Sequence, residues 1–402
     1  MISKKKAALV VIVFMMIASL ATFVFMSIYP LNGRVMLSAN EYNTYRYILK
    51  EYGKLFELRR YIEENYYIPV DSEDLKVGMY KGLFEGIGDP YSAYLTKEEY
   101  DELMISTSGE YKGIGVTVAP GTDGFILVIA PIEDTPAERA GIKSGDKIVK
   151  INGKEYTADQ MDDAVANMRG EPGTKVTISV LRQGEEGLLD FEIIRANVQL
   201  KTVKSEILNK DIGYIRITSF ESKTYEDFTN HLRDLQLKNI QGLVIDLRDN
   251  PGGLVDQSVK IADKLLGKGV IVYTEDRKGN REYHKSDSSK IDIPYVILVN
   301  GGTASASEIL AAGVKDNKSG TIIGTKTFGK GIIQRIAPLE NGDGVELTIA
   351  QYFSPEGHVI HNIGIEPDIL VEIDNSKLEG GILTRENDPQ LKKALEVLKT
   401  NN

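Results

Sequence analysis

Hydrophobic and polar positions along this chain fall into four regimes. The first is Ala7–Tyr29, an uncharged and mostly apolar run behind Lys4-Lys5-Lys6. As a helix it spans roughly 35 Å, enough to cross a bilayer. From Ala39 to Glu110 apolar residues recur at helical spacing on polar-faced segments. Tyr42–Asn65 and Asp74–Ile87 read as helices, the second closed by Gly88-Asp89-Pro90. Thr96–Leu103 opens on a capping threonine backed by Glu98 and Glu99.

From Tyr111 to about Asn197 the pattern shortens to strands between glycine turns. Gly113–Val118, Phe125–Ile129, Lys147–Ile151, Lys175–Arg182 and Leu188–Arg195 read as strands, with helices at Pro136–Ala140 and Ala158–Met168. After Gly213 strands and helices alternate. Ile212–Ser219, Gly242–Asp246, Tyr295–Val299 and Thr321–Ile323 are strand-like, and Tyr225–Leu235 and Leu254–Leu266 helical. Ile332–Leu339 and Val345–Phe353 flank Asn341-Gly342-Asp343-Gly344, a hairpin signal. Asp388–Leu398 reads as a terminal helix. The expected organisation is therefore an anchor or signal at 1–30, a helical region at 39–110, a β-rich domain with two helices at 111–197, an α/β domain at 198–380 and a helical tail at 381–402.

Composition narrows the function. The 402 residues, 42% hydrophobic, suffice for two or three cores, and the formal charge of −10 argues against a nucleic-acid partner. The chain has no cysteine, so disulfides, thiolate nucleophiles and cysteine metal sites are excluded. Its four histidines, His231, His284, His358 and His361, form no HExxH-like cluster, and no metal or nucleotide cofactor is expected. The basic residues before the apolar run favour the cytoplasmic side, which places everything after Pro30 outside a cell membrane. Two fates stay open for that run: an uncleaved single-pass anchor, or a cleaved signal that yields a secreted form.

Two motifs suggest chemistry. Thr303-Ala304-Ser305-Ala306-Ser307-Glu308 places a serine where a buried-type strand passes into a helix, and Thr327-Phe328-Gly329-Lys330-Gly331-Ile332-Ile333-Gln334 places a lysine between glycines. A hydroxyl at a helix start sits among unpaired backbone N–H groups that favour developing negative charge. A lysine stripped of its proton by burial can act as a general base without histidine. The predicted nucleophile, base and orienting amide are Ser305, Lys330 and Gln334. Ser305-x-x-Glu308 is also a capping box, and a lysine in Gly-Lys-Gly is ordinarily a solvated turn residue. Gly252 and Gly253, after the strand ending at Leu247, could offer N–H groups to an oxyanion together with that of Ala306. The rival chemistry, a serine–histidine–aspartate triad, would draw on His231, His358 or His361. In the β-rich region, Gly113-Ile114-Gly115-Val116 presents flexible N–H donors able to capture a terminal carboxylate, while the strand edge after it pairs with an extended peptide.

Taken together these residues resemble the carboxyl-terminal processing peptidases, or tail-specific proteases, of the S41 serine peptidase family. The resemblance runs through Gly88-Asp89-Pro90-Tyr91-Ser92-Ala93-Tyr94, Pro136–Ile148, Leu247–Leu254, Thr303–Ile309, Thr327–Gln334, Tyr352–Gly357 and Gly364–Asp368. It implies a multi-domain α/β protein with a transmembrane helix, a helical segment, a PDZ domain and a ClpP/crotonase-like Ser–Lys peptidase core. It implies cleavage of extracytoplasmic proteins near their C-termini, with catalytic Ser305, Lys330 and Gln334 and oxyanion donors at Ala306 and Gly252 or Gly253. Gly113, Ile114, Gly115, Val116, Val165 and Met168 would hold apolar substrate tails, and Arg169 would sense the bound peptide and gate the site. For Arg169 a plain helix-end role stays open. Thr303 and His361 depart from the family's usual residues. Peptide substrates, the membrane and a homodimer are the expected partners. A catalytically silent PDZ scaffold is the alternative.

Overall fold

The computed structural model describes residues 4–28, 37–374 and 383–400. Tyr29, Pro30 and the expected boundary at 380/381 lie outside them. The chain divides into two units, Met1–Gly82 and Leu83–Asn402.

In the first unit, Lys4–Ile28 is one helix, and its Lys4–Met26 stretch is long and apolar enough to cross a membrane. The Ala39–Asn65 helix starts at Ser38, whose N–H donates to Glu41 Oε2 at 2.7 Å while its Oγ accepts the Glu41 N–H at 3.3 Å. No residue of that helix is buried, although Tyr45, Leu49, Tyr52 and Phe56 lie along it. A further helix runs Ser72–Glu85.

The second unit holds the cores. A six-stranded sheet runs in the order Val203–Leu208, Ile212–Ile217, Gly242–Asp246, Tyr295–Val299, Thr321–Gly324, Ile369–Leu370; the first pair is antiparallel and the rest parallel. Gly242–Asp246 and Tyr295–Val299 are buried at every position, as continuous apolar runs in a covered parallel sheet should be. Thr224–Gln236, Val255–Leu265 and Ala306–Asp316 pack Phe228, Ile261, Ile309 and their neighbours on one face. Leu391, Ala394 and Leu398 of the Pro389–Thr400 helix cover Val244, Val296 and Leu298 on the other.

An antiparallel sheet beside it is ordered Ala93–Leu95, Gly344–Phe353, Gly269–Asp276, Arg281–Ser286, with Ile332–Pro338 also paired to Gly344–Phe353. A third sheet, Val116–Pro120, Ile126–Pro131, Lys147–Ile151, Lys175–Leu181 and Leu188–Ile194, packs with the Pro136–Ala140 and Met161–Met168 helices around Ile126, Val128, Ile148 and Ile178. Glu110–Gly113 and Ala196–Gln199 pair as the two strands leading into and out of it.

Several expected elements shift. Gly113–Val118 is interrupted at Gly115, whose φ of +82° breaks the strand; an added Cβ there would meet Thr135 at 2.3 Å. Ala158–Gln160 is a 3₁₀ turn ahead of the Met161–Met168 helix. The helix begun at Thr96 continues to Ser108 and stops at Gly109 in the left-handed conformation. The strands Ala93–Leu95, Ala196–Gln199, Val203–Leu208, Gly269–Asp276 and Arg281–Ser286 were not anticipated.

Candidate active site

The turn after Tyr295–Val299 is fastened from several sides. Thr303 Oγ1 donates to the Leu247 carbonyl at 2.8 Å, and the Ala304 N–H to the Asn250 carbonyl at 3.0 Å. The Phe328 N–H reaches the Thr303 carbonyl at 3.0 Å. Ser305 follows at φ 54° and ψ −119°, a conformation that costs a residue with a Cβ about 1–3 kcal/mol. The helix begins at the next residue. The Glu308 carboxylate takes the Ser305 N–H at 2.9 Å, but the Glu308 N–H goes to the Ser305 carbonyl at 2.8 Å, and the Ser305 hydroxyl makes no cap. The hydroxyl is thereby released from capping and stands at a helix N-terminus.

Glu308 is fully buried and does more than cap. It also accepts from Thr327 Oγ1 at 2.5 Å and from the N–H groups of Gly329 and Lys330 at 2.8 Å each. Burial pushes its carboxyl above the usual range against the pull of these hydrogen bonds. One side chain thus ties the serine turn to the lysine loop.

The Tyr352 hydroxyl, fully buried, donates to the Lys330 carbonyl and lies within reach of the Ser305 side chain; burial pushes it far above a normal phenol. The Lys330 amine sits 4.4 Å from the centre of the Tyr91 ring. Burial lowers its proton affinity, with Glu346 and then Asp89 opposing. Gln334 makes no hydrogen bond to the lysine among the described residues. Its Nε2 donates to Thr348 Oγ1 at 3.2 Å; the Thr348 N–H donates to Ser92 Oγ at 3.0 Å, and Ser92 Oγ to Asp89 Oδ2 at 2.6 Å.

Ser305, Lys330, Gln334, Gly252 and Gly253 line one cavity of about 510 Å³, joined by Glu221 and Glu346 and by Leu103, Ser106 and Thr107 of the Lys97–Ser108 helix. No hydrogen bond links Ser305 to Lys330 among the described residues. A Cβ on Gly252 would meet Ser305 Cβ at 2.8 Å and the Ala306 nitrogen at 2.9 Å, so only glycine fits beside the serine. The Gly252 N–H is held by Asn250 Oδ1 at 2.9 Å, whereas those of Gly253 and Ala306 find no acceptor among the described residues. The loop carrying these glycines is anchored by Arg248, which is buried and binds Asp246 and Asp388; that pairing, set against burial, keeps its charge fixed.

A second cavity, of about 250 Å³, is lined by all six residues predicted to hold a peptide tail, together with Tyr111 and Arg169. The N–H groups of Ile114 and Gly115 donate to no backbone acceptor among the described residues. The Arg169 guanidinium lies 5.9 Å from the centre of the Tyr111 ring, in this cavity and not in the serine's.

None of the four histidines lines the serine cavity. His231 is bonded to Ser205 at 2.7 Å, and His358 lies by Ser354 and Asp316. Asp316, Glu356 and His358 could offer three ligand atoms within 4.8 Å of one another, away from the serine, but Asp316 already accepts from Ser354 and the Glu356 N–H. Sequence reasoning missed Tyr91, Glu346 and Tyr352 as parts of this site and saw Glu308 only as a cap. The sole pointer was the presence of Tyr91 and Tyr352 in stretches shared with the resembled family.

The sequence profile of peptidase family S41 matches residues 211–371, and that of a PDZ domain matches residues 127–182. A carboxy-terminal-processing protease of Bartonella bacilliformis is 40% identical over 341 residues, covering 83% of this chain and 77% of its own length. The carboxy-terminal processing protease CtpA of Bacillus subtilis is 38% identical over 331 residues, covering 82% of this chain and 71% of its own. The solved structure of a photosystem II D1 C-terminal processing protease, 29% identical, aligns with a TM-score of 0.48 over 82% of this chain and 92% of that one.

Proposed function

Because the chain belongs to the carboxy-terminal-processing proteases of peptidase family S41, a family of serine-type peptidases, we propose that it cleaves extracytoplasmic proteins near their C-termini with Ser305 as nucleophile and Lys330 as base. The observation that carries this reading is the Ser305 hydroxyl. It is held at positive φ, excused from capping, and faces a cavity it shares with a lysine whose ammonium form burial disfavours.

The Lys330 side chain turns from the Tyr91 ring towards Ser305 and takes the Oγ proton as the oxygen bonds to the scissile carbonyl carbon. The Gly253 and Ala306 N–H groups receive the oxyanion, and Gly252 keeps the approach clear. Lys330 returns the proton to the leaving amine as the C–N bond breaks. It then takes a proton from water, whose oxygen displaces Ser305 from the acyl carbon, and the proton returns to Oγ. Gln334 acts through Thr348, holding the strand beside the lysine rather than the amine itself.

The substrate's terminal carboxylate docks at the Ile114 and Gly115 N–H groups, with Val116, Val165 and Met168 around an apolar tail and Gly113 at the rim. Arg169, stacked near Tyr111, moves when the tail enters and relays that event to the catalytic cavity. The domain boundaries are, in chain order, 39–110 for a helical region, 111–197 for the PDZ domain, 198–380 for the peptidase core and 381–402 for a helical tail. The apolar N-terminal helix anchors the protein in a single pass with Lys4-Lys5-Lys6 inside. The exposed tyrosines and leucines of Ala39–Asn65 pack against a second copy.

The test is hydrolysis of an internally quenched peptide with an apolar C-terminus by the full chain in detergent. Activity should vanish in Ser305→Ala and in Lys330→Ala. Full activity in Lys330→Ala would overturn the mechanism, and an inert wild type that still binds the peptide would favour the scaffold reading.

A further inference from the structure

Glu346 lines the serine cavity and is half-buried, and its carboxylate makes no hydrogen bond or ion pair with the described residues. A partly desolvated carboxylate without a direct partner is costly, so its position calls for a physical reason. Its strand supplies one. Glu346 pairs with Ala93 on one side and with Ile336 on the other, which sets it between the Tyr91-bearing segment and the strand that follows Lys330. Two residues on, and so on the same face, Thr348 bonds to Gln334 and Ser92. The Lys330 amine, with its tip on the Tyr91 ring, lies within this frame.

We propose that Glu346 is a positioning residue that acts through Lys330: across the cavity, its carboxylate stabilises the positive charge the amine acquires on taking the serine's proton, with Asp89 as a second, weaker contributor. This rests on Lys330 being the base. An amine buried with no counter-charge would be neutral but would resist accepting a proton. A carboxylate in direct contact would keep it protonated and useless as a base. A carboxylate beyond ion-pair distance, in a half-buried cleft, lies between these limits.

The charges that face the lysine are consistent with this. Burial pushes Glu346 up, and Lys330 pulls it back down. Asp89 is pushed up by burial yet held below its usual value by Ser92, Thr348 and the Tyr91 N–H, with His361 contributing. Glu308 is committed to four donors on the backbone side of the lysine loop, and Tyr352 to the Lys330 carbonyl. Glu221 also lines the cavity; one of its oxygens accepts from Ser219, while the other, packed against Gly109, has no hydrogen-bond partner among the described residues. Of the two carboxylates that act on the amine, Asp89 is taken up by Ser92 and the Tyr91 N–H, and Glu346 is the one whose carboxylate has no hydrogen bond among the described residues.

The sign of the effect is definite. Removing a negative charge favours the neutral amine, so the acidic limb of kcat/KM, where the base gains its proton, should move to lower pH in Glu346→Gln. At the pH where wild type runs at half its plateau, the variant should stand nearer its own plateau, a relative gain of roughly twofold. Glu346→Asp should keep the limb close to that of wild type, and Asp89→Asn should shift it in the same direction by less.

The measurement is peptide hydrolysis by the full chain in detergent across the pH range, with Lys330→Ala alongside. An unmoved limb in Glu346→Gln, or a change confined to KM, overturns the proposal. Should Glu346→Gln fail to fold, an unmoved limb in Asp89→Asn overturns it instead. If Lys330→Ala stays active the base assignment itself falls; if it is dead and the limbs stay put, only the role of Glu346 does.

Discussion

Two helix starts in this protein carry the same four-residue signature and do opposite things with it. At Thr96-x-x-Glu99 the box closes. Thr96 has φ −61°, its hydroxyl accepts the Glu99 N–H at 3.4 Å, and Glu99 returns the favour to the Thr96 N–H at 2.9 Å. At Ser305-x-x-Glu308 only the glutamate half is made, and the serine backbone is turned to φ 54°. The difference lies in what surrounds each start. Thr96 is free to settle into its own best geometry. Ser305 follows a fully buried strand, lies so close to Gly252 that no side chain fits there, and shares its glutamate with the lysine loop. Capping is a local preference worth about 1 kcal/mol, and a tightly packed turn can override it. What is freed by the override is a hydroxyl pointing into a cavity.

The most consequential contrast is chemical. Ser305→Ala should lower peptide hydrolysis by about four orders of magnitude or more while leaving the thermal midpoint unchanged, because no cap is lost. Thr96→Ala should leave kcat alone. A Ser305→Ala protein that melts clearly below wild type would mean that the serine was capping after all.

The two glutamates separate next. Glu308 receives two donors on each oxygen: Thr327 and Gly329 on Oε1, Ser305 and Lys330 on Oε2. In Glu308→Gln either amide orientation sets an NH₂ group against two donors in a buried site. The expected cost is about 2–4 kcal/mol in chemical unfolding, with loss of activity as the lysine loop detaches. Glu99 is half-exposed, so Glu99→Gln can turn its amide to water, and less than about 1 kcal/mol should be lost.

The same contrast explains what could be read from sequence. Tyr295–Val299, the turn after it and the Ala306–Asp316 helix were readable because apolar runs, glycines and small residues act locally. So were the PDZ strands, with the exception of the break at Gly115. The hairpin Gly269–Asp276 with Arg281–Ser286 was not, because its second strand, Arg-Glu-Tyr-His-Lys-Ser, is mostly polar and is specified by pairing with Tyr273 and its neighbours. Nor could the neighbours of Lys330 be read. Tyr91 and Asp89 arrive from far upstream, in the turn before the Ala93–Leu95 strand that pairs with Gly344–Phe353. Gln334 was expected to orient the amine; its strand shifts register between Ile333 and Gln334, and its amide bonds Thr348. Long-range register, invisible to periodicity, decides where a side chain of known chemistry ends up.

Cap loss itself is smaller. Thr96→Ala should cost about 1 kcal/mol of unfolding free energy, against no detectable cost for the same truncation at Ser305. Equal losses at the two sites would erase the distinction between a closed and an opened box.

The smallest effect is a change of sign. Glycine replaces a normal N-cap at a penalty of a few tenths of a kcal/mol, so Thr96→Gly should be slightly less stable than wild type. At Ser305 the balance differs. Glycine adopts φ 54° without the steric cost of a Cβ, which is about 1–3 kcal/mol for serine, and loses about 0.5–1 kcal/mol through the greater freedom of its unfolded chain. Ser305→Gly should therefore be inactive yet more stable than wild type by about 1 kcal/mol, read as a rise in the denaturant midpoint at constant slope. A midpoint that falls would mean the serine conformation is not strained, and the release of its hydroxyl from capping would need a cause other than the pull of Glu308.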